Sequence, residues 1–349
     1  MFNSFFKMKV FNRLLCDINK SYFTFNYKFP ISHIYSKLSS NNKYFHIGLF
    51  FTISSASYLN NKSYQDYRPQ LYFDKVYELV SLKIIGKGAF SQIMRCNNRV
   101  TKNQAAVKIV SDDYNEAIRE KEAIKYIQFK GGHENIIKLS DYFIHDGFHY
   151  LVIEYIDGNS LFDKICKKSL DNNTIYHIID QISNALDFMH KHGIVHCDLK
   201  PDNIMITNKS YIVKLIDFGS ATIPNLRSNI IYSKNINILK QNPESGTKQH
   251  WPPEMCLYEQ VSPAMDMWAI GCILFIMLTG QHPFDLKGNL SDSQIIEAIC
   301  KTTIKFTHPI WINVSSDIKN IILRLLDKNP KTRMTASELH ICIKNLLNK

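Results

Sequence analysis

The stretch His196-Cys197-Asp198-Leu199-Lys200-Pro201-Asp202-Asn203, followed after an apolar run at 212–216 by Asp217-Phe218-Gly219, decides how the rest of this 349-residue chain is read. A loop carboxylate such as Asp198 can orient an attacking hydroxyl and accept its proton, and Lys200 can neutralise charge on a group in transit. Asn203 and Asp217 offer oxygen atoms of the hard kind that Mg²⁺ prefers. Singly, each of these residues reads as a loop acid or a capping residue. As an ordered set they read as one site.

Upstream, Ile85-Gly86-Lys87-Gly88-Ala89-Phe90-Ser91-Gln92-Ile93 lies between two strand-like runs. Glycines there let a hairpin close over phosphates and present backbone N–H groups to them. Two glycines alone describe many turns, and Ser91 stands where a third would complete G-x-G-x-x-G. Ala106-Val107-Lys108 on the next strand strengthens the phosphate reading, because Lys108 interrupts the apolar run 105–110, where an unpaired ammonium is costly. Its carboxylate partner should come from the following helix, where Glu116, Glu120 and Glu122 are candidates. Glu120 is preferred, since Ile124 and Ile127 follow it by four and seven residues along one helical stripe, and Glu122 is second.

Around these motifs, strands are expected at 77–85, 91–96, 105–110, 136–144 and 148–155, with a helix at 115–129. Beyond Gly158 the pattern turns helical, at 173–192, 265–279, 291–303 and 316–326. The order is a small strand-rich half followed by a large helical half, without internal repeats.

Together these residues resemble the eukaryotic protein kinase superfamily over roughly 77–347. The resemblance implies an α+β, two-lobed fold, with a small β-rich lobe at 77–156 and a large helical lobe at 157–347. It implies ATP and Mg²⁺ as cofactors and protein Ser/Thr hydroxyls as acceptors. Lys108 would hold the α/β-phosphates and pair with Glu120; Asp198 would be the catalytic base, assisted by Lys200; Asn203 and Asp217 would hold Mg²⁺. Gly86 and Gly88 would cover the phosphates beside Ile85. Glu154 and Ile156 would meet adenine through their backbone, next to Ile153 as gatekeeper, while Ile93, Ala106 and Met205 would sandwich the base. Pro252-Pro253-Glu254 resembles the A-P-E motif, so Glu254 would pair with Arg333, and Asp266 would anchor the catalytic loop. Lys200 in D-L-K-P-x-N, with Gly246-Thr247, is similar to Ser/Thr rather than tyrosine kinases.

Several positions depart from the family pattern. Ser91 makes the phosphate flap bulkier. Cys197 replaces the Arg of H-R-D, as in the dual-specificity tyrosine-regulated kinases, whereas Leu161-Phe162-Asp163 and Met277-Leu278-Thr279-Gly280 resemble calmodulin-dependent kinases. Without that Arg, the demand for a phosphate on the segment between Asp217 and Glu254 is expected to weaken, although Ser228, Tyr232, Ser233, Ser245 and Thr247 are available there. Ser160 and Ile276 stand where many basophilic kinases carry acids, and only Asp202 remains, so an unusual substrate preference is expected. The alternative function, a pseudokinase scaffold, would require loss of Lys108, Asp198 or Asp217. Because the sequence ends at Lys349, soon after the last expected helix at 316–326, no C-terminal autoinhibitory or calmodulin-binding tail is expected.

The net charge of +11 is concentrated at one end: residues 1–70 hold nine Lys and Arg against two acids, +7, leaving +4 for the other 279 residues. No nucleic-acid partner is expected from so mild a balance. Within this extension Phe11, Leu14, Leu15 and Ile18 make the apolar side of a short basic helix. Such a leader fits a mitochondrial transit peptide or a membrane-surface anchor, and equally a plain surface helix; residues 1–62 are the expected organelle or membrane contact, with the cytoplasm as the other location. The uncharged stretch 44–61 is diluted by His46, Thr52, Ser54, Ser55 and Ser57, too polar to favour a span. Eight cysteines show no C-x-x-C pair or metal-ligand spacing and read as reduced packing residues.

Overall fold

The computed structural model describes residues 72–348, excepting 89–90, 112–115, 168–169, 225–248, 259 and 307–308. The basic leader, the stretch 44–61, Ala89-Phe90 of the glycine loop and the five hydroxyl residues between 228 and 247 lie outside the described residues.

Five antiparallel strands, β1 (Tyr77–Lys87), β2 (Ser91–Asn98), β3 (Gln104–Ser111), β4 (Leu139–His145) and β5 (Phe148–Glu154), form a sheet in the order β1-β2-β3-β5-β4. Side chains alternate along β3, so Ala105 and Val107 join one apolar cluster while Ala106 and Val110 join another. Lys108 shares the face of Ala106 and Val110. A four-residue helix, α1 (Phe73–Val76), covers the opposite face. Its Phe73 stacks on Tyr77 and Tyr150, with ring centroids 5.7 and 5.4 Å apart.

Helix α2 (Glu116–Phe129) connects β3 to β4 and buries Glu120, Ala123, Ile124 and Ile127. The strand expected at 136–144 begins only at Leu139. Residues 135–137 pair instead with the larger half: Ile137 N–H donates to Leu215 O at 3.0 Å, and Leu215 N–H to Asn135 O at 2.8 Å. Hydrogen bonding to a distant strand has overridden local strand propensity there.

The larger half holds a three-stranded sheet, β6 (Gly158–Ser160), β7 (Ile204–Thr207) and β8 (Val213–Leu215), and the helices α3 (Leu161–Cys166), α4 (Asn172–Lys191), α5 (Pro253–Tyr258), α6 (Pro263–Thr279), α7 (Asp292–Lys301), α8 (Ser316–Leu325) and α9 (Ala336–Leu347). Helix α6 is buried along 265–275, as its largely apolar sequence dictates, with Asp266 the one acid among the buried residues. Caps define the others: the Asp171 carboxylate accepts Thr174 N–H at the start of α4, and capping boxes Ser291/Gln294 and Thr335/Glu338 open α7 and α9. One core runs from Ala106 and Ile124 in the small half to Leu339 and Ile343. The seven cysteines of the described residues are free thiols. No helix among the described residues is long and apolar enough to cross a membrane.

Candidate active site

Alternation on β3 and the stripe on α2 bring Lys108 and Glu120 together, Nζ to Oε2 at 2.7 Å, both buried. Glu122, the other candidate, turns outward and pairs with Lys121 at 2.8 Å. Lys108 has two further carboxylates: Asp217 Oδ1 at 3.0 Å and Glu116 Oε1 at 3.8 Å. Burial works against the Lys108 charge, but these three acids outweigh it and raise its affinity for the proton. Burial pushes the Glu120 carboxyl upward, with Lys108 pulling it back. At Asp217 burial is overcome by Lys108, His196 and Lys200, which hold the carboxyl below the usual range.

Asp217 has a left-handed backbone, φ 62°, and so does Cys197, φ 68°. Side chains rarely adopt this region, and clustering of such strain marks functional sites. Next to Asp217, Gly219 has no room for a side chain, since a Cβ there would sit 2.5 Å from Glu116 Cγ. Phe218 is fully buried, its ring 4.8 Å from that of His196. His196 Nε2 donates to Ile216 O at 3.1 Å and its Nδ1 lies 3.4 Å from the Asp198 N–H.

The loop itself is held from one side by Asp266. Its two carboxylate oxygens accept the backbone N–H groups of His196 at 2.9 Å and Cys197 at 3.0 Å, and His190 Nε2 donates to it at 3.0 Å. Asp198 Oδ2 receives Lys200 Nζ at 2.8 Å and Asn203 Nδ2 at 3.0 Å. Asp198 Oδ1 is buried and has no hydrogen-bond partner among the described residues. Burial raises the Asp198 pKa, against the pull of Lys200.

Above this loop, Gly86 pairs with Ile93 across β1 and β2. Gly88 N–H donates to Ser91 O at 3.0 Å, and a Cβ on Gly88 would lie 2.5 Å from Ser91 Oγ, so a side chain at 88 would turn the Ser91 hydroxyl aside. Ile85 is 44% exposed, whereas Ala106 is buried and paired with Ile153. Ile93 and Ile156 pack partly on the core, and Met205 is half-buried on β7. The Glu154 side chain, unremarked in the sequence, accepts both contacts of Lys214 Nζ at 2.9 Å and the Lys138 N–H at 3.0 Å. That clamp ties the end of β5 to β8.

Glu254 and Arg333 form the expected pair, with contacts of 2.5 and 2.9 Å. Ser160 caps α3, accepting Asp163 N–H at 3.1 Å and donating to its carboxylate at 2.9 Å. Asp202 is exposed. Cys197 is buried with Val195, Trp251, Met255 and Met265, so the place of the missing Arg is apolar. Glu116, one of the three candidates named from the sequence, joins Glu120 beside Lys108 as a further acid; the role of Lys214, a surface-like residue in one dimension, was not anticipated.

A family model described as protein kinase domain matches residues 79–341. A serine/threonine-protein kinase, PKZ1, of Phytophthora infestans is 33% identical over 280 residues, covering 73% of this chain and 67% of that protein. A putative ribosomal protein S6 kinase alpha-2 of Caenorhabditis elegans is 36% identical over 276 residues; the match covers 75% of this chain and 35% of that one. The solved autoinhibited serine kinase domain of the giant muscle protein titin superposes with a TM-score of 0.65 at 26% identity, over 79% of this chain and 83% of that one. The chain belongs to the eukaryotic protein kinase superfamily, Ser/Thr type. Its class of reaction is ATP-dependent phosphoryl transfer, and ATP with Mg²⁺ is the general requirement of that family.

Proposed function

We propose that this kinase moves the γ-phosphate of ATP to Ser and Thr hydroxyls of protein substrates with Asp198 as proton acceptor. One observation carries the assignment: Asp198 Oδ2 is engaged by Lys200 and Asn203, while the buried Oδ1 has no hydrogen-bond partner among the described residues. An unpaired buried acceptor is costly, and an acceptor hydroxyl that donates to it relieves that cost where the proton must leave. The acceptor oxygen bonds to the γ-phosphorus, the bond to the β–γ bridging oxygen breaks, and the hydroxyl proton passes to Asp198.

The neighbouring residues fit a nucleotide with a divalent cation. Three carboxylates face the single ammonium of Lys108, a surplus of negative charge that a cation would balance. Asn203 uses its Nδ2 on Asp198, which leaves the amide oxygen as a ligand beside Asp217. When bound, Mg²⁺ supplies charge neutralisation at the phosphate oxygens. Lys108, aimed by Glu120, holds the α/β-phosphates; Gly86 and Gly88 cover them. Ile85, Ile93, Ala106 and Met205 enclose adenine, with the Glu154 and Ile156 backbone at its edge. Lys108, Asp198 and Asp217 are all in place, contrary to what a scaffold without activity would require.

The test is transfer of labelled phosphate from ATP by the purified full chain to Ser, Thr and Tyr peptides, with Asp198→Asn beside the wild type. Transfer to Ser and Thr peptides that vanishes in the variant supports the assignment; wild-type rates in the variant overturn it. We further propose that residues 1–62 carry the protein to the mitochondrion or a membrane surface. A fluorescent fusion of residues 1–70 that stays diffuse in the cytosol would refute this.

A further inference from the structure

Beside the catalytic loop lies a small cavity lined by Asp198, Leu199, His250, Trp251, Met265 and Asp266, with room for about one water molecule. Three of these side chains carry buried polar atoms without a hydrogen-bond partner among the described residues: Asp198 Oδ1, Trp251 Nε1 and both ring nitrogens of His250. Buried polar groups are overwhelmingly paired, so four orphaned atoms on residues around one cavity call for an explanation. The other polar side chains lining the cavity, those of Cys197 and Asp266, are already engaged. Asp266 accepts from His196, Cys197 and His190, and the Cys197 thiol donates to Val195 O at 3.5 Å.

His250 is neutral: burial, with His282 and Lys200 close by, pushes it down to about 3. The titratable or charged groups around it are Cys197, Asp198, Lys200, Asp266 and His282. A neutral imidazole has one N–H and one bare nitrogen, so it can accept from a water that also donates to a carboxylate.

We propose that His250 is a positioning residue for phosphoryl transfer, holding Asp198 Oδ1 through one water shared with Trp251. The water donates one hydrogen to Oδ1 and one to the bare nitrogen of His250, and it accepts the indole N–H. Three bonds are the usual complement of a buried water. The second lone pair of Oδ1 stays open for the acceptor hydroxyl. This rests on Asp198 as the proton acceptor.

The experiment compares the full chain with His250→Phe, His250→Gln, Trp251→Phe and Asp198→Asn for Ser-peptide phosphorylation. His250→Phe is expected to lower kcat about tenfold while leaving KM for ATP and for the peptide unchanged, the scale of one hydrogen bond lost to a carboxylate. His250→Gln, which keeps a donor and an acceptor, should restore most of kcat. An unchanged kcat in His250→Phe, or His250→Gln behaving like His250→Phe, overturns the proposal. Should His250→Phe melt below the assay temperature, Trp251→Phe removes another partner of the same water and must lower kcat with KM unchanged; an unchanged kcat overturns it. Loss of transfer in Asp198→Asn alongside an unchanged His250→Phe sinks only this proposal, whereas wild-type transfer in Asp198→Asn sinks the assignment of the base as well.

Discussion

Two buried ion pairs hold this molecule together, and they are built differently. Arg333 in the large lobe grips Glu254 with two contacts, gives a third N–H to Ala264 O at 2.8 Å and a fourth to Asp327 O at 2.9 Å, and lies over the Trp268 ring. Charge and hydrogen bonds are both satisfied, so the pair is closed. Lys108 in the small lobe faces Glu120, Asp217 and Glu116 together, with Lys200 also acting on Asp217, and the Asp217 side chain is still 36% exposed. That cluster is unbalanced on the side from which a nucleotide and cation would arrive. A structural pair is finished by the protein; a functional one is finished by what binds.

The comparison is broken or sharpened by substitution. The largest effect belongs to the unbalanced side: Asp198→Asn is expected to lower kcat by about 10²–10⁴-fold while the thermal midpoint hardly moves. Rates near wild type, in a peptide phosphorylation assay, would separate the site from the chemistry. Next comes stability. Arg333→Met leaves Glu254 buried and unpaired and should cost about 3–5 kcal/mol in urea unfolding. Lys108→Met should cost under about 2 kcal/mol, because Glu120 can take up a proton, yet should remove activity. Equal stability losses in the two variants would erase the distinction.

A smaller effect is expected from stripping phosphate. Among the described residues, Cys197 packs with the apolar side chains Val195, Trp251, Met255 and Met265, and it brings no charge of its own for a phosphate to neutralise. Phosphatase-treated enzyme, confirmed bare by mass spectrometry, should keep turnover within about tenfold. A loss approaching 100-fold, restored by phosphorylating Ser228, Tyr232, Ser233, Ser245 or Thr247, would show that another cation serves that role. Acid stability probes the pair of buried histidines separately. Burial pushes His250 down to about 3 and His282 down to about 4 from an ordinary 6.5. The unfolded chain binds protons at these positions below about 6.5 while the folded one does not. Their contribution is therefore intact above 6.5 and lost as pH falls towards 4, which urea titrations across that window would read. His282→Gln should flatten the slope.

Most of the site was legible because its chemistry is written in local order. Asp198, Lys200, Asn203 and Asp217 fall within twenty residues of one another, and the pairing of Lys108 with Glu120 followed from an ammonium placed in an apolar run and from the 3.6-residue stripe on the helix. The pair of Glu254 and Arg333 came from family resemblance, since nothing local links residues so far apart. What escaped depended on distant packing. Residues 135–137 carry strand-like side chains but bond to β8. Glu154 and Lys214 meet only because β5 and β8 come together, and the cavity around His250 gathers residues from three separate segments. Helix α9 was missed although Thr335 and Glu338 spell a capping box, a signal that local reading could have used.

Phe73 and Tyr77 bear on how this domain should be cut out for laboratory work. The family match begins at residue 79, yet both aromatics are buried and stack against the back of the sheet beside Phe143 and Tyr150. A fragment trimmed to the match would leave Phe143 and Val152 facing water on a sheet otherwise sealed, an invitation to aggregate. Expression fragments should therefore start no later than Tyr72, and soluble yield from paired fragments starting at 72 and at 79 would show how much that first turn protects.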